Sequence, residues 1–221
     1  MAVHGLVNAR WTGDTRPWLM RSAAPDALDD AGVTTLRRLG VTVVVDLREP
    51  GEAGVGSSAP LGIPVVPVPL YGGPPPRTGR LEDIYEDLLR HRGAALATAV
   101  GVVADDEGAA LVHCTAGKDR TGLVVALARL LAGADPADVL DDYALSGDQV
   151  RPVRLAQAEA LAGTLPPGER AEVLRLHLES PPEALRHALA VLDALGGVET
   201  YLADHGLAPE QAGSLRRKVG R

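Results

Sequence analysis

Apolar residues first fall at helical spacing at Leu28, Val33, Leu36 and Leu39, a face that stops at Gly40 and that Asp26 is placed to cap. Val41-Thr42-Val43-Val44-Val45 follows, a β-branched run with the pattern of a buried strand. It ends at Asp46-Leu47-Arg48-Glu49-Pro50, and a Gly/Ser-rich loop leads to a short strand around Pro64 to Val68. Gly72-Gly73-Pro74-Pro75-Pro76 admits no regular structure and marks a surface loop. Beyond it, Leu81 to Val103 predicts one long helix, Ala109 to Val112 a second buried strand, and Gly122 to Leu131 an apolar helix. After Pro136 the chain reads as helices only, punctuated at Pro152, Pro166-Pro167, Pro181-Pro182, Gly196-Gly197 and Pro209. Strands in the first half, mostly separated by helices, predict an α/β fold: a small, mainly parallel sheet flanked by helices, with a helical C-terminal portion.

Composition narrows what such a fold can do. The 221 residues suffice for one domain with a sizeable core, and 46 % apolar against 23 % charged residues is ordinary for a soluble globular protein. A net charge of −7 excludes a general nucleic-acid binder, which needs a broad basic face, so any phosphate site must be made locally. The single cysteine, Cys114, rules out an intramolecular disulfide and suits a reducing compartment. Met1 to Arg10 lacks the apolar core of a signal peptide, and no run approaches the ~18 apolar residues of a membrane span. The expectation is a cytoplasmic protein without a transmembrane segment, with secretion without a signal peptide left open.

The chemistry gathers in Val112-His113-Cys114-Thr115-Ala116-Gly117-Lys118-Asp119-Arg120-Thr121-Gly122, which joins a predicted strand to a predicted helix. A thiolate is the nucleophile, and backbone N–H groups of a tight loop opening onto a helix N-terminus lower a thiol pKa. Those N–H groups, from Thr115 through Arg120, also cradle phosphoryl oxygens. Gly117 permits a backbone conformation that a side chain resists. Arg120 offers a planar fork for two phosphoryl oxygens, and the five residues between it and Cys114 let the loop curl so that sulfur sits beneath the phosphorus. His113 is suited to orienting the loop by hydrogen bonds to backbone. Thr121 is placed to donate to the cysteine sulfur. The loop therefore predicts phosphate monoester hydrolysis through a phosphocysteine at Cys114. No cofactor is expected, and His4, His91, His113, His177, His187 and His205 are too scattered to form a metal-ligand pattern.

His-Cys-x-x-Gly-Lys-Asp-Arg-Thr-Gly resembles the signature of the bacterial tyrosine and dual-specificity cysteine phosphatases related to a secreted mycobacterial enzyme. Asn8-Ala9-Arg10, Arg21-Ser22-Ala23, Asp46-Leu47-Arg48 with Glu52, Asp142-Tyr143 with Ser146, and Gly197 to Leu207 fall in the family's order. The resemblance spans nearly the whole chain and implies a single domain over residues 1–221 with the cysteine-phosphatase fold. Two departures bear on proton transfer: Trp11 follows Arg10 where the family has Asp, and Tyr71-Gly72-Gly73 stands where the relative is acidic. The relative's long insertion is absent, which predicts a short lid or none.

A leaving alkoxide or phenolate needs a proton, and two aspartates compete to supply it. Asp83 lies 31 residues before Cys114, after the Gly/Pro-rich loop, whereas Asp119 lies in the signature loop itself. Asp46 with Arg48 reads as a structural ion pair. Lys118 reads as an exposed cation at the loop rim, and in the family a lysine here goes with acceptance of phosphoinositides as well as phosphotyrosine. The substrate expected is thus a phosphotyrosine-containing protein or a phosphoinositide. An inositide or inositol polyphosphate phosphatase, and a binding module that holds phosphorylated ligands without turnover, stay open as alternatives. A rhodanese-like sulfur carrier also uses a loop cysteine but has no need of this Cys-to-Arg spacing.

Overall fold

The computed structural model describes residues 3–12, 17–52 and 62–219. Five strands form one sheet: β1 (Arg10–Trp11), β2 (Leu19–Ser22), β3 (Val41–Asp46), β4 (Val65–Pro67) and β5 (Ala109–His113), in the order β1-β2-β5-β3-β4. Only the β1–β2 pair is antiparallel; β2, β5, β3 and β4 run parallel. Helices α1 (Asp30–Arg38), α2 (Leu81–His91), α3 (Gly93–Asp105) and α4 (Asp119–Leu131) connect or follow the strands. The remainder is helical: α5 (Pro136–Gly163), α6 (Pro167–Leu178), α7 (Pro182–Ala194), α8 (Gly197–Asp204) and α9 (Pro209–Lys218). Among the described residues no helix is long and apolar enough to cross a membrane.

The strand alternation divides the core. Val43, Val45 and Leu47 of the β3 segment, with Ala110 and Val112 of β5, face the main cluster against α2, α3 and α4. Val44 and Leu111 face the smaller cluster with Leu36 of α1. Val41 joins Val44 on that side because a bulge between Val41 and Val43 shifts the register. Helix α4 is apolar nearly all round, as its near-complete burial requires.

Several expectations are corrected. Asp29, not Asp26, caps α1 by accepting from the Gly32 N–H at 2.8 Å; Asp26 pairs instead with Arg48 at 3.0 Å. The long helix expected over Leu81 to Val103 is two helices broken at Arg92, where the ring of His205 packs so close to Gly93 that a Cβ there would lie 2.1 Å from it. Pro152 does not punctuate the C-terminal region: α5 runs through it, with the proline exposed and the helix held by packing along α6. The Gly/Ser-rich loop after Glu52 lies outside the described residues over 53–61.

What positions the site is the register. Ser22 pairs with His113, and His113 with Asp46, so three parallel strands finish side by side. The loops that follow them all open on the carboxyl edge of the sheet, where open α/β sheets bind ligands.

Candidate active site

Cys114 follows β5 directly and Asp119 begins α4, so the signature loop turns from a strand into a helix within a few residues. Gly117 makes that turn possible: its φ is +67°, and a Cβ there would lie 2.2 Å from the Ser22 carbonyl oxygen. The loop carbonyls are drawn to one side. Thr115 O accepts from the Ala24 N–H at 3.2 Å, Ala116 O and Gly117 O from Asn8 Nδ2 at 3.2 and 2.8 Å, and Gly117 O and Lys118 O from Arg21 at 2.8 and 3.1 Å. No peptide among the described residues is cis. In a trans peptide the N–H of the next residue points opposite to the carbonyl. Pinning four carbonyls outward therefore turns the N–H groups of Ala116, Gly117, Lys118 and Asp119 the other way, toward Cys114.

The pins are themselves anchored. Arg21, fully buried on β2, binds Asp142 of α5 at 2.7 Å. Arg10 binds the other oxygen of Asp142 at 2.8 Å, and also the Ser146 hydroxyl at 2.9 Å and the Asn8 side-chain oxygen. Burial raises the Asp142 carboxyl, but Arg21 and Arg10 overrule it and hold it below its ordinary range. Burial, with Arg21 alongside, brings Arg10 down to about 10.

The nucleophile's electrostatics follow from this cradle. Burial alone would push the Cys114 thiol up; the Arg120 guanidinium and donation from the Thr121 hydroxyl and N–H outweigh it, and the thiol lies below its ordinary value. The Thr121 hydroxyl is buried, has no nitrogen or oxygen partner among the described residues, and acts on the thiol to lower its pKa. His113 lies within 3.3 Å of the Cys114 carbonyl through Nδ1 and 3.7 Å from Asp46 through Nε2, as an orienting residue would; burial pushes its pKa down.

Arg120 is held by Glu52, which accepts from Nη1 and, at 2.7 Å, from Nη2, while Nη1 also reaches the Leu47 carbonyl at 3.2 Å. The Tyr71 ring lies under the guanidinium, 4.8 Å away. These contacts occupy the outer edge of the fork. The Nε–H has no partner among the described residues and is free for an incoming oxygen. Burial pushes the Glu52 carboxyl up, but hydrogen bonds from Arg120 and Thr115 bring it down to about 2.

The pocket above the sulfur is small, about 100 Å³. Cys114, Thr115, Ala116, Lys118, Asp119 and Arg120 line it from the loop, Glu52 and Tyr71 from one side, and Pro75, Pro76, Arg154, Leu176 and His177 from the other. A wall from α5 and α6 therefore stands over the site although the relative's insertion is absent. Of the two candidate acids, only Asp119 lines this pocket. Its Oδ1 accepts from Lys118 Nζ at 2.6 Å and from the Tyr85 hydroxyl at 2.7 Å, leaving Oδ2 without a donor among the described residues. Asp83 is exposed on α2, two residues from the inward-facing Tyr85 and so on the opposite face of the helix.

A profile of the tyrosine phosphatase family matches residues 5–220. The chain belongs to the tyrosine phosphatase family. It is 33 % identical to the triple specificity protein phosphatase PtpB of Mycobacterium tuberculosis, over 71 % of this chain and 72 % of that one. It is 34 % identical to a tyrosine-protein phosphatase of Nostoc commune over 54 % of this chain, a match that spans 42 % of the longer Nostoc protein. The solved structure of P. aeruginosa TpbA aligns with a TM-score of 0.40 and 25 % identity, over 76 % of this chain and 91 % of that one.

Within this tyrosine phosphatase family member, one expectation fails clearly. Lys118 is no exposed rim cation: it is 1 % exposed, and its ammonium is spent on Asp119 and, at 2.7 Å, on the Glu179 carbonyl at the end of α6. The loop turns inward there to start α4, and Lys118 turns with it. Gly117 is a turning residue and does not line the pocket, whereas the other five predicted binding residues do. Asp46 and Arg48 pair at 2.8 Å as expected. The residues not foreseen as functional are Asn8, Arg21 and Asp142, which shape the loop from behind, and Glu52, Tyr71 and Tyr85, which hold Arg120 and Asp119. Asn8, Arg21, Asp142 and Glu52 were signalled only by their place in the family's order of motifs, Tyr71 by a departure from it, and Tyr85 by nothing in the sequence.

Proposed function

We propose that this chain hydrolyses phosphate monoesters, phosphotyrosine in proteins foremost, through a phosphocysteine at Cys114. One observation carries the reading: a thiol held below its ordinary pKa faces converging N–H groups, beside an Arg120 whose Nε–H is unspent. The Cys114 sulfur attacks phosphorus, forming an S–P bond as the P–O bond to the leaving oxygen breaks. Asp119, through Oδ2, gives the leaving oxygen its proton. Water then attacks the phosphocysteine, Asp119 takes the proton back, and the S–P electrons return to a sulfur stabilised by Thr121 and Arg120. The loop N–H groups and Arg120 meet the charge spread over the equatorial oxygens.

Asp119 serves as the acid in this reading because it lines the pocket and Asp83 does not. Burial of Lys118 removes the cation on which acceptance of phosphoinositides rested, which leaves phosphotyrosine protein as the substrate class. A cytoplasmic location suits a nucleophile with no second cysteine to protect it. Cys114→Ser tests the reading: hydrolysis of an aryl phosphate should fall to background while vanadate or a phosphopeptide still binds. Turnover retained in that variant would sink the covalent mechanism. Asp119→Asn should slow esters of poor leaving groups far more than esters of acidic phenols, and the same variant at Asp83 should leave that comparison unchanged.

A further inference from the structure

The arginines packed about the site are mostly committed. Arg10 and Arg21 bind Asp142, Arg48 binds Asp46 and Asp26, and Arg120 binds Glu52. Arg154 differs. It stands on α5, half-buried, and lines the catalytic pocket, yet no described residue forms an ion pair or hydrogen bond with it. The same side chain lines an adjoining cavity of about 570 Å³ between the proline loop and the second half of α5. Pro75 and His177 belong to both spaces, so the cavity continues the catalytic pocket sideways.

The composition of this cavity is unlike the chain's. The protein carries a net charge of −7, yet no carboxylate lines the cavity, while Arg154 and Arg77 both do. Arg77 is exposed, and its guanidinium is also without a partner among the described residues. The wall that carries it is fixed, since His177 Nε2 donates to the Arg77 carbonyl at 3.0 Å. Taking a guanidinium partly out of water with no counter-ion is unfavourable, and the planar fork recovers that cost on an oxyanion.

We propose that this cavity is a second, anion-recognising subsite that takes an acidic group on the peptide flanking the phosphotyrosine, and that Arg154 sets the preference. The inference rests on the catalytic reading for what fills the first pocket. The ligand chemistry is an oxyanion, either an Asp or Glu carboxylate or a second phosphate. A peptide fits better than a lipid surface: the walls are close-set proline and α5 side chains, and an acidic protein offering two cations is repelled by an anionic membrane.

Binding to the full chain carrying Cys114→Ser, followed by fluorescence anisotropy, tests this without turnover. The probes are phosphotyrosine peptides with a neutral flank, with Asp or Glu on either side, and with a second phosphate. An acidic flank should tighten binding by about fivefold, as one partly exposed charge pair allows, and the gain should shrink at high salt. Arg154→Gln should remove that gain and Arg154→Glu should reverse it, with thermal unfolding recorded to show that each variant is folded. Arg77→Gln should remove a smaller part. A gain from carboxylates and a gain from the second phosphate alone both support the subsite and tell the two ligands apart. Equal binding of neutral and acidic peptides overturns it, as does a gain that survives Arg154→Glu. Sedimentation with phosphoinositide vesicles that depends on Arg154, with no peptide preference, also overturns it and gives this face to a membrane. Hydrolysis of an aryl phosphate by wild-type protein is measured alongside; its absence would remove the catalytic reading while the binding comparison still decides this one.

Discussion

Two arginines face the signature loop from opposite sides, and they are used in opposite ways. Arg21, behind the loop, is fully buried and binds Asp142, Gly117 O and Lys118 O. Arg154, in front, lines the pocket and binds none of the described residues. The back of the loop is an ionic network in which Arg10 and Arg21 share the carboxylate of Asp142. The front leaves donors unspent: Arg154, the Nε–H of Arg120, and the inward-turned N–H groups. A buried charge with a partner fixes geometry, whereas a half-buried charge without one is an offer to a ligand. The rigidity of the back is what lets the front stay open without collapsing.

The largest expected effect lies behind the loop. Asp142→Ala leaves Arg21 buried without its counter-ion and should destabilise the protein by about 3–5 kcal/mol. Urea unfolding measures the loss, and activity should fall as well because the loop carbonyls lose their anchor. A loss below about 1 kcal/mol, the worth of an exposed pair, would mean that the back network is not the loop's support.

In front, Arg120→Lys should do the reverse. Lysine keeps the charge but loses the fork, at about 3–4 kcal/mol of transition-state stabilisation, with a smaller effect on unfolding. A fall in turnover below tenfold would show that Arg120 does not grip the phosphoryl group. Lys118 then separates the two regions more finely. Its ammonium joins Asp119 to Glu179, so Lys118→Met should destabilise the fold by about 1–3 kcal/mol through lost charged hydrogen bonds. If the change instead leaves unfolding untouched and weakens substrate binding in a salt-dependent way, Lys118 belongs to the front after all.

These regions differed as much in legibility. The signature loop, β3, β5 and α4 could be read because strand-length apolar runs and a reactive spacing are local signals. Strand β2 could not: Leu19-Met20-Arg21-Ser22 is fully buried, but its arginine and serine break the apolar pattern that marks a core strand. The partner that makes Arg21 tolerable is Asp142, 121 residues further along. Lys118 was misjudged for the same reason, since its burial depends on the end of α6. The break at Arg92 and the continuity through Pro152 likewise rest on contacts with distant helices, which override local propensity. Chemistry carried by neighbours in sequence was legible; geometry imposed by neighbours in space was not.

The smallest predicted effect concerns Glu52, the carboxylate at the front that is paired with Arg120. Glu52 has a folded-state pKa of about 2, below its unfolded value of 4.5, because it accepts from Arg120 and Thr115. A carboxyl depressed on folding contributes stability that is complete above the unfolded pKa and is lost as pH falls through the folded one. The window is therefore pH 4.5 down to about 2. With the Glu52 side chain 15 % exposed and lining the pocket, partial screening limits its share to about 1–2 kcal/mol. Glu52→Gln keeps the shape but replaces one of two accepting oxygens with a donor and cannot ionise, so it should lower stability at neutral pH by at least that amount and flatten the acid limb of urea-unfolding free energy within the window. Part of the limb should survive, since Asp142 and Asp46 are also held below their ordinary range. The variant's residual limb then reports Asp142, Asp46 and the other depressed carboxylates, Glu82 beside Arg175 among them. An unchanged slope would mean that acid sensitivity belongs to those carboxylates alone, and that the Glu52–Arg120 pair orients the fork without stabilising the fold.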